Sequence, residues 1–156
     1  MIVLGLDPGL AATGYGVVAQ SGREIRCLDF GCITTSTREE TATRLKQIYD
    51  GITNVIERWS PELVVLEEVF MKGAAPSAAL SIGQVRGVLL LAASKANCMV
   101  EGIAPRSVKL AISGSGAADK SQIERGLRRL FRMSEQIRPD HAADALGLAY
   151  VGAMRK

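Results

Sequence analysis

The chain has 156 residues, of which 47% are hydrophobic, 22% charged and only 4% aromatic, the composition of one globular domain (residues 1–156) with an aliphatic core. Cys27, Cys32 and Cys98 have no metal-like spacing, no basic segment with a signal-like apolar run opens the chain, and the longest apolar run, Val88 to Ala93, is too short for a bilayer. These features argue against a disulfide scaffold, a secreted precursor and a membrane protein, and the expectation is a cytoplasmic chain whose cysteines are small core residues. The net charge of +3 is uneven: residues 1–100 hold 9 Lys/Arg against 10 Asp/Glu, and residues 101–156 hold 10 against 6. The basic part suits either an anionic partner or a solvated helix face.

Residues 2–7, 13–20 and 24–34 read as strands, rich in β-branched and apolar residues and separated by the turn texts "PGLAA" and "SGR". The period then changes. Ala42, Leu45, Ile48, Tyr49, Ile52, Val55, Ile56 and Trp59 recur every three or four residues, the inner face of a helix that Ser60-Pro61 ends. "ELVVLEEVF" is a fourth strand. "APSAALSIGQVRGVLLLAASKAN" is a helix apolar on more than one side, with one face for the sheet and one for a partner subunit. "CMVEGIA" is a fifth strand, and Pro105 opens a short helix. Asp119 with Gln122 three residues on has capping-box spacing for the next helix, and Pro139 stands near the start of a last one, with Ala142, Ala145, Leu146, Ala149 and Tyr150 inward. The order predicts an α/β fold, a mixed five-stranded sheet with helices on its faces.

Two strands end in acids, Asp7 on the first and Glu67 with Glu68 on the fourth. If the strands are neighbours their carboxylates converge, and a divalent cation is the common remedy for such repulsion. In "DHAADA", His141 and Asp144 share one helix face and point at the same place. Oxygens with one imidazole suit Mg²⁺ or Mn²⁺ better than zinc, and four ligands allow two ions, a pair suited to phosphodiester hydrolysis. On this reading Gly14 and Gly16 keep the second strand low so that a polyanion can approach.

"GLDPGLAATGYGVV", "VVLEEVFMKGAAPSAALSIGQVRGVLLLAA", "APRSVKLAISGSGAADKSQI" and "PDHAADALGLA" resemble, in order and over nearly the whole chain, the motifs of the RuvC family of bacterial Holliday-junction resolvases. The resemblance implies a ribonuclease-H-like fold with helices on both faces of the sheet. It implies a homodimer that makes symmetric paired nicks in a four-way DNA junction, with two Mg²⁺ (or Mn²⁺) ions per subunit, beside the RuvA–RuvB branch-migration complex. The family's metal-binding, catalytic positions fall on Asp7, Glu67, His141 and Asp144. Glu68 turns to the opposite face, and Asp140 serves as helix cap. Phe70 matches an aromatic that stacks on a base, and Lys109 and Lys120 match lysines near the scissile phosphate. Arg125, Arg128, Arg129 and Arg132 form a basic stripe available to junction arms. The rival readings are another ribonuclease-H-like nuclease acting on RNA, a non-catalytic junction-binding module, and a phosphotransferase of the actin and sugar-kinase kind, for which the chain is too short.

Overall fold

Strand β1 (Ile2–Asp7) lies at the centre of the sheet, and its alternation sets the layout. In the computed structural model, which describes residues 1–68 and 75–156, β1 pairs antiparallel with β2 (Ala12–Ser21) and parallel with β4 (Leu63–Glu67). Beyond β2 lies β3 (Glu24–Thr34), antiparallel, and beyond β4 lies β5 (Met99–Ile103), parallel, giving the order β3-β2-β1-β4-β5. The sheet is mixed and five-stranded, as expected. The second strand begins one residue earlier than the sequence reading, and the fourth ends at Glu67, before Phe70. Residues 69–74, Phe70 among them, lie outside the described residues.

Even and odd residues of β1 serve two separate cores. Leu4 and Leu6, with Val64 and Leu66 of β4, pack under α1 (Thr41–Trp59) and α2 (Pro76–Lys95). Val3, with Leu63 and Val65, packs under α3 (Pro105–Ser113), α4 (Lys120–Phe131) and α5 (Asp140–Met154). Helices therefore cover both faces.

The inner face of α1 is narrower than its periodicity suggests. Ile48, Ile52 and Ile56 are buried, whereas Ala42 is exposed and Trp59 is half-buried, its Nε1 donating to Asp29 Oδ2 at 3.0 Å. The cysteines are half-buried, not core, and burial pushes the Cys27 thiol up to about 11. Helix α2 buries Val85, Leu89, Ala92 and Ala93 and leaves Leu80, Leu90 and Leu91 exposed. By length and composition α2 is also long and apolar enough to cross a membrane, although Gly, Ser and Arg break its apolar residues into short runs.

Helix α5 is buried nearly all round, as its Ala and Gly content allows. It lies directly on β1 and β2. A Cβ on Gly5 would meet the Ala145 carbonyl oxygen at 2.0 Å, one on Gly14 the His141 carbonyl oxygen at 2.0 Å, and one on Gly16 the Leu146 Cα at 2.5 Å. This corrects the expectation for Gly14 and Gly16. They keep the strand low for a helix of the same chain, not for an incoming polyanion.

Candidate active site at the strand ends

The same alternation that sorts the core sorts the acids. Asp7 follows Val3 and Gly5 onto the α5 face, and Glu67 follows Leu63 and Val65 onto it. The β1–β4 register runs to Leu6 opposite Leu66, so the next step sets Asp7 beside Glu67. Glu68 turns away, its Cγ lying where a Cβ on Gly102 would come within 2.9 Å.

The first turn of α5 supplies the third contribution. His141 Nδ1 stands 2.6 Å from Asp7 Oδ2, across 134 residues of sequence. An ionised Asp7 can only accept, so against it Nδ1–H donates, which leaves Nε2 as the ring nitrogen not engaged by Asp7. Asp144, one turn on, meets Lys120 Nζ at 3.2 Å, and Asp140 meets the same ammonium at 4.0 Å. Asp140 is not the helix cap: Pro139 is the N-cap residue and no side chain caps the helix. Asp140 sits inside the first turn, where its charge suits the helix dipole.

Lys120 is itself placed by a complete capping box. Asp119 accepts from the Gln122 N–H at 2.8 Å, and Gln122 Oε1 accepts from the Asp119 N–H at 2.9 Å. Asp7, Glu67, Lys109, Lys120 and Asp144 line one cleft of about 350 Å³. A larger cavity of about 560 Å³, lined by Arg23, Arg26, Arg132 and Tyr150 among others, opens elsewhere, away from these acids. The charge cluster, not cavity size, marks the chemical site.

The electrostatics of the cleft are unbalanced. Burial, above all, holds the Asp7 carboxyl above its usual range, opposed by the bond to His141. Burial likewise raises Glu67, with the charges of Asp7 and Asp144 adding to it. Lys120 is held protonated, chiefly by Asp144. Among the described residues no three acidic, imidazole or thiol groups stand together as a ready ligand set, and Asp144 is paired with Lys120. The donor chemistry nonetheless fits a hard divalent cation: three carboxylates, two of them desolvated and mutually repelling, and one imidazole.

The expected DNA contacts divide. Lys109 and Lys120 face the cleft. Arg125 is exposed on α4, its Nη1 donating to Ser121 Oγ at 2.6 Å. Arg128 is not brought to the cleft; its Nε lies 2.9 Å from Glu124 Oε1 and its Nη1 3.4 Å from the Ser134 carbonyl oxygen. Two residues carry more than the sequence reading assigned. Arg106 lies beside Lys109 over Gly116, and Arg86 of α2 donates to the Glu67 carbonyl oxygen at 2.5 Å. The signal for Arg86 was present: it is a lone arginine in the middle of an apolar helix.

A sequence profile described as crossover junction endodeoxyribonuclease RuvC matches residues 3–151. The chain is 43% identical over 152 residues to the crossover junction endodeoxyribonuclease RuvC of Mannheimia succiniciproducens, covering 97% of this chain and 75% of that one. It is 44% identical over 148 residues to that of Vibrio campbellii, covering 95% and 84%. The solved structure of Thermus thermophilus RuvC in complex with a Holliday junction substrate superposes with a TM-score of 0.92 at 34% identity, covering 99% of this chain and 94% of that one.

Proposed function

The chain belongs to the RuvC family of crossover junction endodeoxyribonucleases and is a Holliday-junction resolvase, and we propose that its cut is made in the cleft of Asp7, Glu67, His141 and Asp144. The observation that carries this reading is the meeting of three separate elements there: the ends of β1 and β4 set side by side, and the first turn of α5 bonded to one of them through His141.

Divalent-metal dependence goes with the family, and Asp7, Glu67, Asp144 and His141 are the groups to hold the ions. Mg²⁺, or Mn²⁺, as two ions per subunit is our assignment, from oxygen-rich ligands. Bound there, they supply Lewis acidity toward a phosphodiester and neutralise its charge. The chain's own groups do the rest. Asp7 orients the His141 ring through Nδ1, leaving Nε2 as the ligand atom. Lys109 and Lys120 stand beside the acids as point charges for a phosphate oxygen. Arg125 reaches along α4 toward the arms of the junction, and Phe70 is proposed as the ring on which an unstacked base rests. No covalent protein nucleophile is needed.

Four-way junction DNA is the substrate. A homodimer, joined through the exposed apolar face of α2, would present two clefts for paired nicks, and the RuvA–RuvB complex is the proposed working partner. Both belong to this proposal, as does a cytoplasmic location with the chromosome.

The test is cleavage of a mobile four-way junction against linear duplex and an RNA–DNA hybrid, with and without Mg²⁺ or Mn²⁺. Symmetric nicks confined to the junction and lost in D7N are expected, with junction binding retained. Cutting of the hybrid alone would move the activity to RNA, and binding without cutting under any metal would make the chain a binding module.

A further inference from the structure

The carbonyl of Glu67 occupies an unusual place in the sheet. Met1 exchanges both backbone bonds with Gln20 of β2, at 2.8 and 3.0 Å, so odd residues of β1 turn their backbone to β2 and even ones to β4. The Glu68 N–H donates to the Ile103 carbonyl of β5 at 2.9 Å, so Glu67 turns its backbone the other way, toward β1. With Leu6 opposite Leu66, the parallel ladder would next bond the Glu67 carbonyl to the N–H of residue 8. Residue 8 is Pro8, which has none. The pairing shows the gap. β1–β2 continues to Asp7 opposite Gly14 and β4–β5 to Glu67 opposite Ile103, but β1–β4 stops at Leu6 opposite Leu66.

Among the described residues, the side chain that fills the gap is Arg86, whose Nη1 donates to the Glu67 carbonyl oxygen at 2.5 Å. We propose that Arg86 is a positioning residue that replaces the proline-deleted rung of the ladder and so fixes the Glu67 carboxylate for metal binding. This deepens the reading of Glu67 as a metal ligand and rests on it. A guanidinium on a carbonyl is a charge-assisted bond, stronger than the neutral rung it replaces. It also ties the end of β4 to α2, so the placement of Glu67 depends on a helix of the opposite face. Ligand groups must be held to about 0.5 Å, and loss of a residue that orients a ligand typically weakens metal binding about 10–100-fold.

The experiment uses R86M, which keeps an apolar stem but no donor, alone and combined with P8A, which restores a backbone N–H opposite Glu67. The readouts are the Mg²⁺ concentration for half-maximal junction cutting, the maximal rate, and metal-free junction binding, with E67Q as control. R86M is expected to raise the Mg²⁺ requirement about 10–100-fold with junction binding unchanged, and P8A to recover most of that shift while changing little by itself. A wild-type Mg²⁺ requirement in R86M, or a shift that P8A leaves in place, overturns the proposal. If R86M alone does not fold, recovery of folding by P8A reports the same coupling, and its absence overturns it. Wild-type cutting by E67Q would instead remove Glu67 from the site and overturn the reading beneath.

Discussion

Asp7 and Glu67 are both pushed above their ordinary values, chiefly by burial, with the charge of Asp144 adding to the rise at Asp7 and the charges of Asp7 and Asp144 adding to it at Glu67. A carboxyl raised in the folded state adds stability only while it is protonated, below its unfolded pKa, and that contribution is lost as pH rises through the folded value. At neutral pH the ionised pair therefore works against the metal-free fold. D7N should raise the thermal midpoint of the metal-free protein while lowering junction cutting at least about 100-fold, since removing a ligand costs no less than removing the group that orients one. A D7N variant that melts lower than wild type in chelator would show that the His141 bond outweighs the burial penalty. The same shifts set the pH response. Protons compete with the cation at both carboxyls, and earlier on acidification than at an ordinary Asp or Glu. The Mg²⁺ requirement should climb as pH falls from 7 toward 5, and titrations of cutting against Mg²⁺ at several pH values read it directly; a flat requirement would contradict the ligand assignment.

Among the elements, α5 contributes most to the geometry of the site. It carries His141 and Asp144, and it reaches Asp7 only because Gly5, Gly14 and Gly16 let it lie on the strands without side chains between. G14A would drive a methyl into the His141 carbonyl. Relief by backbone shift is expected to cost about 1–3 kcal/mol, measured by denaturant unfolding, and to lower cutting as well because His141 moves with its carbonyl. Full activity with unchanged stability would mean that the helix can retreat freely. The sequence showed α5, its inward alanines and the shared face of His141 and Asp144, because these depend only on the helical period. It did not show why the glycines are there. A close backbone approach looks the same in sequence whether the visitor is a ligand or a helix.

At the scale of the whole molecule, α2 stands out by what it leaves uncovered. Leu80 is 64% exposed and Leu91 54%, on a helix that buries only Val85, Leu89, Ala92 and Ala93 against the sheet and α1. If this face joins two copies, L91E should shift the protein toward monomer in sedimentation and convert paired nicks into unpaired ones at low protein concentration. A variant that stays dimeric places the contact on another face. The Arg86 bond adds a reason to expect communication, since the helix proposed for the interface also holds the end of β4.

The sequence by itself determined the elements, their order, the mixed sheet, the strand-end acids and the family, because local periodicity, turn chemistry and motif text are written residue by residue. The tertiary structure alone decided which groups face each other. It paired Asp7 with His141 across 134 residues, turned Asp144 to Lys120, engaged Arg128 with Glu124, and brought Arg86 to a carbonyl that Pro8 leaves without a rung. Those outcomes rest on register and on which face of the sheet each helix covers, and neither is a property of any short stretch of chain.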